Sequence, residues 1–377
     1  MSRVKNEEFI LKFDDSVNEK VYQHIISIEV VEDVASASTL GLRLGVTRCH
    51  SDNSWSVLDD AHITLWMKVT LEAGFDGETE EIFSGFVTHL KPNFDSDPAK
   101  CTLDVQAIDR SIILDREYKM RPWVNKKDSD IAQEILVTEN GLGATITATQ
   151  VEYDETVTTI TQRNTDMKFL QRLARRNGFE VYISGETAYF GPPNYDSEVQ
   201  PTLSVHFGAE TTMTSFDLDV NALQATRVQT ASTGRSDRTD NSADVESSDV
   251  EPRGATTASD MTSGEVPEAT IFLGSGAVSG QQELETRARA IYDQQQWFIT
   301  GNGDVDGNFY GHVIRPHKMI TIRGISENYS GEYYVTHVTH QFKTSGYTMQ
   351  IKTKRNATIP AGTEDFSSED TSTLSVV

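Results

Sequence analysis

The chain has 377 residues, and 57 Asp and Glu against 33 Lys and Arg leave a formal net charge of −24. That length exceeds one ordinary hydrophobic core and predicts two or three domains. The charge argues against electrostatic binding of nucleic acid, since each phosphate contact wants a Lys or Arg; it fits a wall past which DNA or protein cargo slides, or an acidic surface adapted to high salt. Cys49 and Cys101 have neither a CxxC pairing nor metal spacing. With a charged, alternating start from Met1 to Phe13 in place of a signal peptide, reduced thiols in a soluble protein made in the cytoplasm are expected. No apolar run approaches the length of a membrane span.

From Phe9 to about Asp115 the apolar residues recur with a period of two: Phe9, Leu11, Phe13; then Leu40, Leu42, Leu44, Val46; then Ile63, Leu65, Met67, Val69, Leu71. Ile82–Leu90 carries Gly85 at its middle, where a bulge or tight bend is expected, and Leu103, Val105 and Ala107 finish the set. Turn signals separate them at Asp52–Asn53–Ser54, Gly74–Gly77 and Asp95–Pro98, so the segment reads as an antiparallel sheet that closes or sandwiches.

Asp128–Gly191 reads as helix, strand, helix and hairpin. Ser129 is the expected cap of the first helix, whose apolar face is Ile131, Ile135 and Leu136; Gly141 and Gly143 stop it, and Ala144, Ile146 and Ala148 alternate as a strand. Thr165 or Asp166 opens the second helix, with Met167, Leu170, Leu173 and Ala174 on one face and Arg172, Arg175 and Arg176 at its end. Gly178 ends it before a hairpin turning at Ser184–Glu186. Leu203–Phe207, Met213–Asp219 and Ala225–Val228 continue as strands. Thr230–Glu268 is nearly empty of large apolar residues and is expected to be a flexible loop or arm, followed by a helix over Gln281–Ile299. Met319–Ile322, Tyr333–Val338 and Tyr347–Thr353 alternate as closing strands, and Ala357–Val377 reads as a disordered tail.

Candidate chemistry is sparse. Asn302, Asp304, Asp306 and Gly307 mimic half of an EF-hand loop, but its twelfth position is Val313, and a polar turn explains them as well. His337 and His340 are three apart in a strand and face opposite ways, and His312 and His317 lack ligand spacing. Asp59–Asp60, Glu78 with Glu80–Glu81, and Asp249–Glu251 read as solvated loops. Arg172, Arg175, Arg176 and Lys168 read as a helix-end charge match or a docking contact. No catalytic, cofactor-binding or metal-binding residue is assigned.

Two blocks carry a resemblance. The first is Ser129, Asp130, Ala132, Glu134, Ile135, Leu136, then Gln162, Asn164, Thr165, Asp166, Phe169, Leu170, Arg172, Leu173, Ala174, Gly178 and Phe179. The second is Gly311, Arg315, Pro316, Ile320, Ile322, Gly324, Tyr329, Ser330, Gly331, Tyr333, Val335, Val338, His340, Gly346, Tyr347 and Arg355, with a weaker match at Ile82–Thr88. Together they resemble the phage late-control-D family of tail-hub or baseplate-hub proteins, related to the hub part of type VI secretion spike proteins.

The resemblance implies a mainly β fold with an α+β insertion: two tube-like antiparallel β-barrels plus a small helix–strand–helix–hairpin domain. The implied division is residues 1–116 for the first barrel, 117–200 for the module, 201–229 and 310–356 for the second barrel, 230–309 for an acidic loop and helix, and 357–377 for the tail. It implies a homotrimeric ring adapting a six-fold tail tube to a three-fold spike or fibre in the virion tail or an injection-system baseplate. Its partners would be the tail tube or distal tail protein, the spike or fibre protein and the tape measure protein, with DNA passing through without specific binding and with no membrane insertion. No cofactor and no enzymatic activity are expected; the alternatives are a hub with cell-wall-degrading activity and a host-binding tail adhesin.

Overall fold

Alternation of apolar and polar residues builds the first strands: β1 (Glu7–Phe13), β2 (Ile25–Asp33), β3 (Thr39–Gly45), β4 (Lys68–Phe75), β5 (Glu78–Asn93) and β6 (Thr102–Asp109). Each sends one row of side chains inward, as with Leu40, Leu42 and Leu44 of β3. The computed structural model describes all residues except 1–3, 50–52, 60, 157–158, 234–239, 263–266, 275–279, 363, 365 and 367–377. Most of the tail expected at 357–377, with Asp52 and Asp60, therefore lies outside the described residues.

The chain then leaves for an α+β module: β7 (Lys119–Trp123), α1 (Asp128–Gln133), β8 (Gly143–Ile146), β9 (Ile160–Asn164), α2 (Asp166–Asn177), β10 (Glu180–Ser184) and β11 (Thr187–Gly191). It returns for β12 (Gln200–Ser204) and β13 (Met213–Val220). A second excursion holds β14 (Arg227–Thr233), β15 (Asp240–Val245), β16 (Thr270–Gly274) and α3 (Gln281–Gln295). The chain closes with β17 (Ile299–Asp306), β18 (Met319–Arg323), β19 (Gly331–Lys343) and β20 (Gly346–Arg355).

Strands β1–β6 lie in the order β2-β3-β6-β5-β4-β1, and the returning strands lie in the order β13-β17-β20-β19-β18-β12. Counted within each half, both orders are 2-3-6-5-4-1, so the fold is built twice. The copies differ at one end, where β1 runs antiparallel to β4 but β12 runs parallel to β18. Pairing of β19 with β2 fuses the halves into one 13-stranded sheet over a shared hydrophobic core. In neither half do the end strands pair with each other among the described residues. The module has its own core around Phe169, Leu170 and Leu173.

Polar side chains lock the junction. On β2, Glu32 accepts from Arg315 Nη2 at 2.8 Å and lies 3.0 Å from His340 Nε2, while His340 Nδ1 is 2.7 Å from the Tyr347 hydroxyl. Arg315 also donates to the Glu81 carbonyl at 2.7 Å, tying β5 to the same point. Burial pushes the Glu32 carboxyl up, but the Arg315 guanidinium and His340 outweigh it and hold the group below its ordinary 4.5. Burial likewise pushes Arg315 down, and the Glu32 carboxylate more than restores it.

Both sequence blocks prove to be packing devices. Gln162, fully buried, accepts from Trp123 Nε1 at 3.2 Å and donates to Asp166 Oδ1 at 2.8 Å, joining β7, β9 and α2. Arg355, also fully buried, donates to the carbonyls of Tyr329 and Ser330 at 2.9 Å each and of Arg253 at 2.8 Å. Its guanidinium occupies the space over Gly331, whose φ is +144°, so a Cβ there would sit 2.6 Å from Arg355 Nη2.

Several expectations need correction. Thr230–Glu268 is not a bare loop: β14 and β15 form a ladder, extended by β16, whose Val228, Ala243 and Val245 pack on Leu284, Ala288 and Tyr292 of α3. Its few apolar residues fall on one face, which average composition hides. Residues 299–306, placed in that insertion, instead form β17 of the main sheet; its inward positions include Gly301 and Gly303, where Phe216 and Met213 fill the space a side chain would take. Ile63, Leu65 and Met67 precede β4, and Leu65 is exposed. Gly85 is no bulge, since the register shifts fall at Leu71/Glu72 and Val87/His89; a Cβ there would strike the Ile108 carbonyl. Lys127, not Ser129, is the N-cap of α1, with its N–H donated to Asp130 at 3.1 Å.

Two measurements test this account. Gly331→Ala is expected to cost about 2 kcal/mol or more, because a buried guanidinium and its backbone acceptors must shift, whereas Gly141→Ala, at φ +64° over open space, costs about 1 kcal/mol. Urea midpoints compare the two. For Glu32 the folded-state pKa is depressed, so the unfolded chain binds more protons as pH falls; the stabilisation is complete above its ordinary 4.5 and is lost as pH falls through the folded value. Glu32→Gln is expected to flatten that acid-side slope and, by stranding Arg315, to cost about 3 kcal/mol at neutral pH, read from denaturation curves at stepped pH.

Candidate functional site

The groups with chemical potential are engaged in structure. His317, stacked on Tyr182 with ring centroids 3.8 Å apart, has Nδ1 2.7 Å from Glu180 Oε2. The Tyr334 hydroxyl donates to both Glu180 oxygens, at 2.9 and 2.8 Å, so β10 of the module is clasped to the β18–β19 hairpin. Beside them Lys354 Nζ sits 4.5 Å from the Trp297 ring and 5.1 Å from that of Tyr334, and donates to the Tyr195 hydroxyl at 3.3 Å. Burial pushes Lys354 down to about 8, against the pull of Glu180. A cleft of about 260 Å³ lined by Asp109, Tyr182, Arg315 and His317 lies between the halves and the module, and one of about 1000 Å³ lies between α2 and α3.

The other singled-out residues are dispersed. Asn302 and Asp304 project from the exposed face of β17, and Asp306 caps the turn after it by accepting from the N–H groups of Asn308 and Phe309. His340 is buried in the junction, and His337 Nδ1 is 3.0 Å from Asp33 Oδ2 on the neighbouring strand. Arg176 forms a two-pronged pair with buried Asp128, Arg172 donates to the Thr161 carbonyl at 3.1 Å, Lys168 lies 3.8 Å from Asp115, and Arg175 lines the larger cleft. Cys101 is buried and Cys49 exposed. Among the described residues no three of His, Cys, Asp and Glu converge as a metal site requires, and no helix is long and apolar enough to cross a membrane.

What the structure leaves open is backbone. The outer edge of β5 pairs with β4 as far as Phe86 and then, among the described residues, has no strand beside it from His89 to Asn93; at the far end of the sheet β13 pairs, among the described residues, with β17 alone. The two halves match at these places residue for residue. Register shifts fall between Val87 and His89 of β5 and between Val335 and His337 of β19. They also fall between Ile25 and Ser27 of β2 and between Met213 and Ser215 of β13. Val87–Thr88–His89 thus superposes on Val335–Thr336–His337, and the hydroxyls of Thr88 and Thr336 donate to the equivalent carbonyls of Gln106 and Lys352 at 3.3 and 3.1 Å. Open strand edges are sites for pairing with another chain. No periodicity of the sequence pointed to them; the repeated Val-Thr-His was the available signal.

No curated protein matches the sequence. The fold is that of phage tail proteins. The 43 kDa tail protein of prophage MuSo2 from Shewanella oneidensis is 13% identical, with 93% of this chain and 99% of that one covered at a TM-score of 0.67. A tail protein from Neisseria meningitidis is 10% identical, covering 93% and 97% at a TM-score of 0.63. An E. coli component of the type VI secretion system is 12% identical, covering 93% and 79% at a TM-score of 0.52. The protein-family model described as the Alg8 N-terminal domain matches residues 8–344, and the chain belongs to that family.

Proposed function

We propose that the chain is a structural hub of a phage tail or a related injection machine, kin in fold to the late-control-D hub proteins. In this reading three copies form a ring between a six-fold tail tube and a three-fold spike or fibre. The observation that carries it is the repeated 2-3-6-5-4-1 strand order within one chain. A chain holding two equivalent half-sheets offers two equivalent positions, so three chains offer six to the tube while the whole ring stays three-fold. The likeness to tail proteins supports the setting, and the tape measure protein is a further partner to consider. The module and the β14–α3 excursion, absent from the repeated order, would decorate the ring and hold the spike or fibre. The net charge of −24 suits a lumen that DNA crosses without sticking.

The deciding measurement is the mass of the purified chain by light scattering, at low and at molar salt, with particles viewed by electron microscopy. Three times 41.9 kDa, about 126 kDa, and a hollow ring are expected, favoured by salt that screens the mutual repulsion. A monomer in both conditions, unchanged by adding the cognate tube protein, overturns the reading.

A further inference from the structure

We infer that the open edge of β5, His89–Asn93, receives residues Asp217–Asn221, the end of β13 and the residue after it, from a second copy of this chain, in a register copied from the chain's own β19–β2 junction. The inference rests on the ring reading and names the contact that would build it. Within the chain, the outer edge of β19 pairs with β18 up to Tyr334 and then with β2 from His337 to Lys343. β5 repeats the first part of that path. Val87 bonds through its carbonyl to the Trp66 N–H and through its N–H to the Met67 carbonyl, as Val335 does with His317 and Lys318. Trp66 and His317 even share a positive φ, +68° and +62°. Among the described residues the second part of the path is unpaired on β5, and the strand equivalent to β2 is β13, whose outer edge is likewise unpaired.

Carrying the register across sets complementary residues opposite one another. Inside the chain Gln341 faces Glu29 and donates to its carboxylate at 2.9 Å; the same position between copies places Asn93, whose amide nitrogen donates to the Lys100 carbonyl at 3.2 Å within the chain and has a second N–H to give, opposite Asp217. Thr339 faces Val31 inside the chain, and its equivalent sets Lys91 opposite Asp219. Leu90 meets Val220, which is 41% exposed in the single chain. Lys91, Asp217 and Asp219 have no ion-pair partner among the described residues, although the chain is rich in such pairs. Pro92 lacks an N–H and so can bring only its carbonyl to a ladder there. The contact is head-to-tail, because β5 of one copy takes β13 of the next, and such contacts build a ring when the rotation between copies closes.

The test is charge reversal on the full chain, read by light scattering across a dilution series. Lys91→Glu and Asp219→Lys each set like charges opposite at every contact and are expected to raise the concentration for half-assembly by roughly tenfold or more; the double variant restores it. Circular dichroism checks that each variant folds. Asn93→Cys with Asp217→Cys, in a Cys49→Ser background, is expected to give oxidised dimers and trimers on a denaturing gel. A wild-type ring whose assembly ignores both reversals and whose cysteine pair fails to cross-link overturns this contact while leaving the ring reading intact. A wild-type chain that stays monomeric with its tube protein overturns both.

Discussion

The pairing of β19 with β2 is the constraint on which the rest depends. It makes two half-sheets into one and requires a buried carboxylate, Glu32, to find its partners across the junction. A lone ion there would cost several kcal/mol in lost hydration, so the arrangement is stable only when Arg315 and His340 are both in place. Those two residues come from the second half, 283 and 308 positions away in the chain. Their hydrogen bonds also reach β5 and β20, so the junction sets the distance between the halves and the orientation of the clefts beside it.

The module depends on that junction in turn. Glu180 lies on the module's own strand β10, yet its hydrogen-bond partners are Tyr334 and His317, which flank the junction in the second half. Lys354 is held by rings rather than by a carboxylate, a weakly hydrated environment that explains its lowered proton affinity. These buried polar contacts fix angles between layers in a way that apolar packing, which tolerates sliding, does not.

Much of this was legible in the sequence where burial is one-sided. β1, β3, β5, β6 and β18 to β20 announce themselves by apolar alternation, and α2 by its spacing and its Gly178 stop. β2 was not read as a strand, since Ile25, Ile26, Val30 and Val31 crowd both faces of a strand paired on both sides. β17 was hidden because glycines take its inward positions, and β14–β16 because their polar outer faces dominate the composition. The residues that resemble a tail-hub family were legible as caps and core, but not as Arg355 stacked over Gly331 or Gln162 bridging two strands. The edges left no periodicity to read: a free strand edge is a property of what does not pair, and the repeated Val-Thr-His marks the equivalent places without saying which is paired.

The two halves share strand order and register but not their connections, and that inequality bears on the proposed symmetry change. Between β2 and β3 the chain turns within residues 34–38, whereas the equivalent step from β13 to β17 carries the whole β14–α3 excursion. The α+β module is likewise attached once per chain, between the halves. Under the proposed ring, the sheet alone would offer a neighbouring tube two surfaces of like strand order per copy, while everything attached to it occurs once. A ring made from such chains would read as six-fold where only the sheet is felt and as three-fold where the attachments reach. Equal connections would have left the two halves alike throughout; under the proposed ring, the unequal ones would give the same backbone a face on which a three-fold partner has a single way to sit.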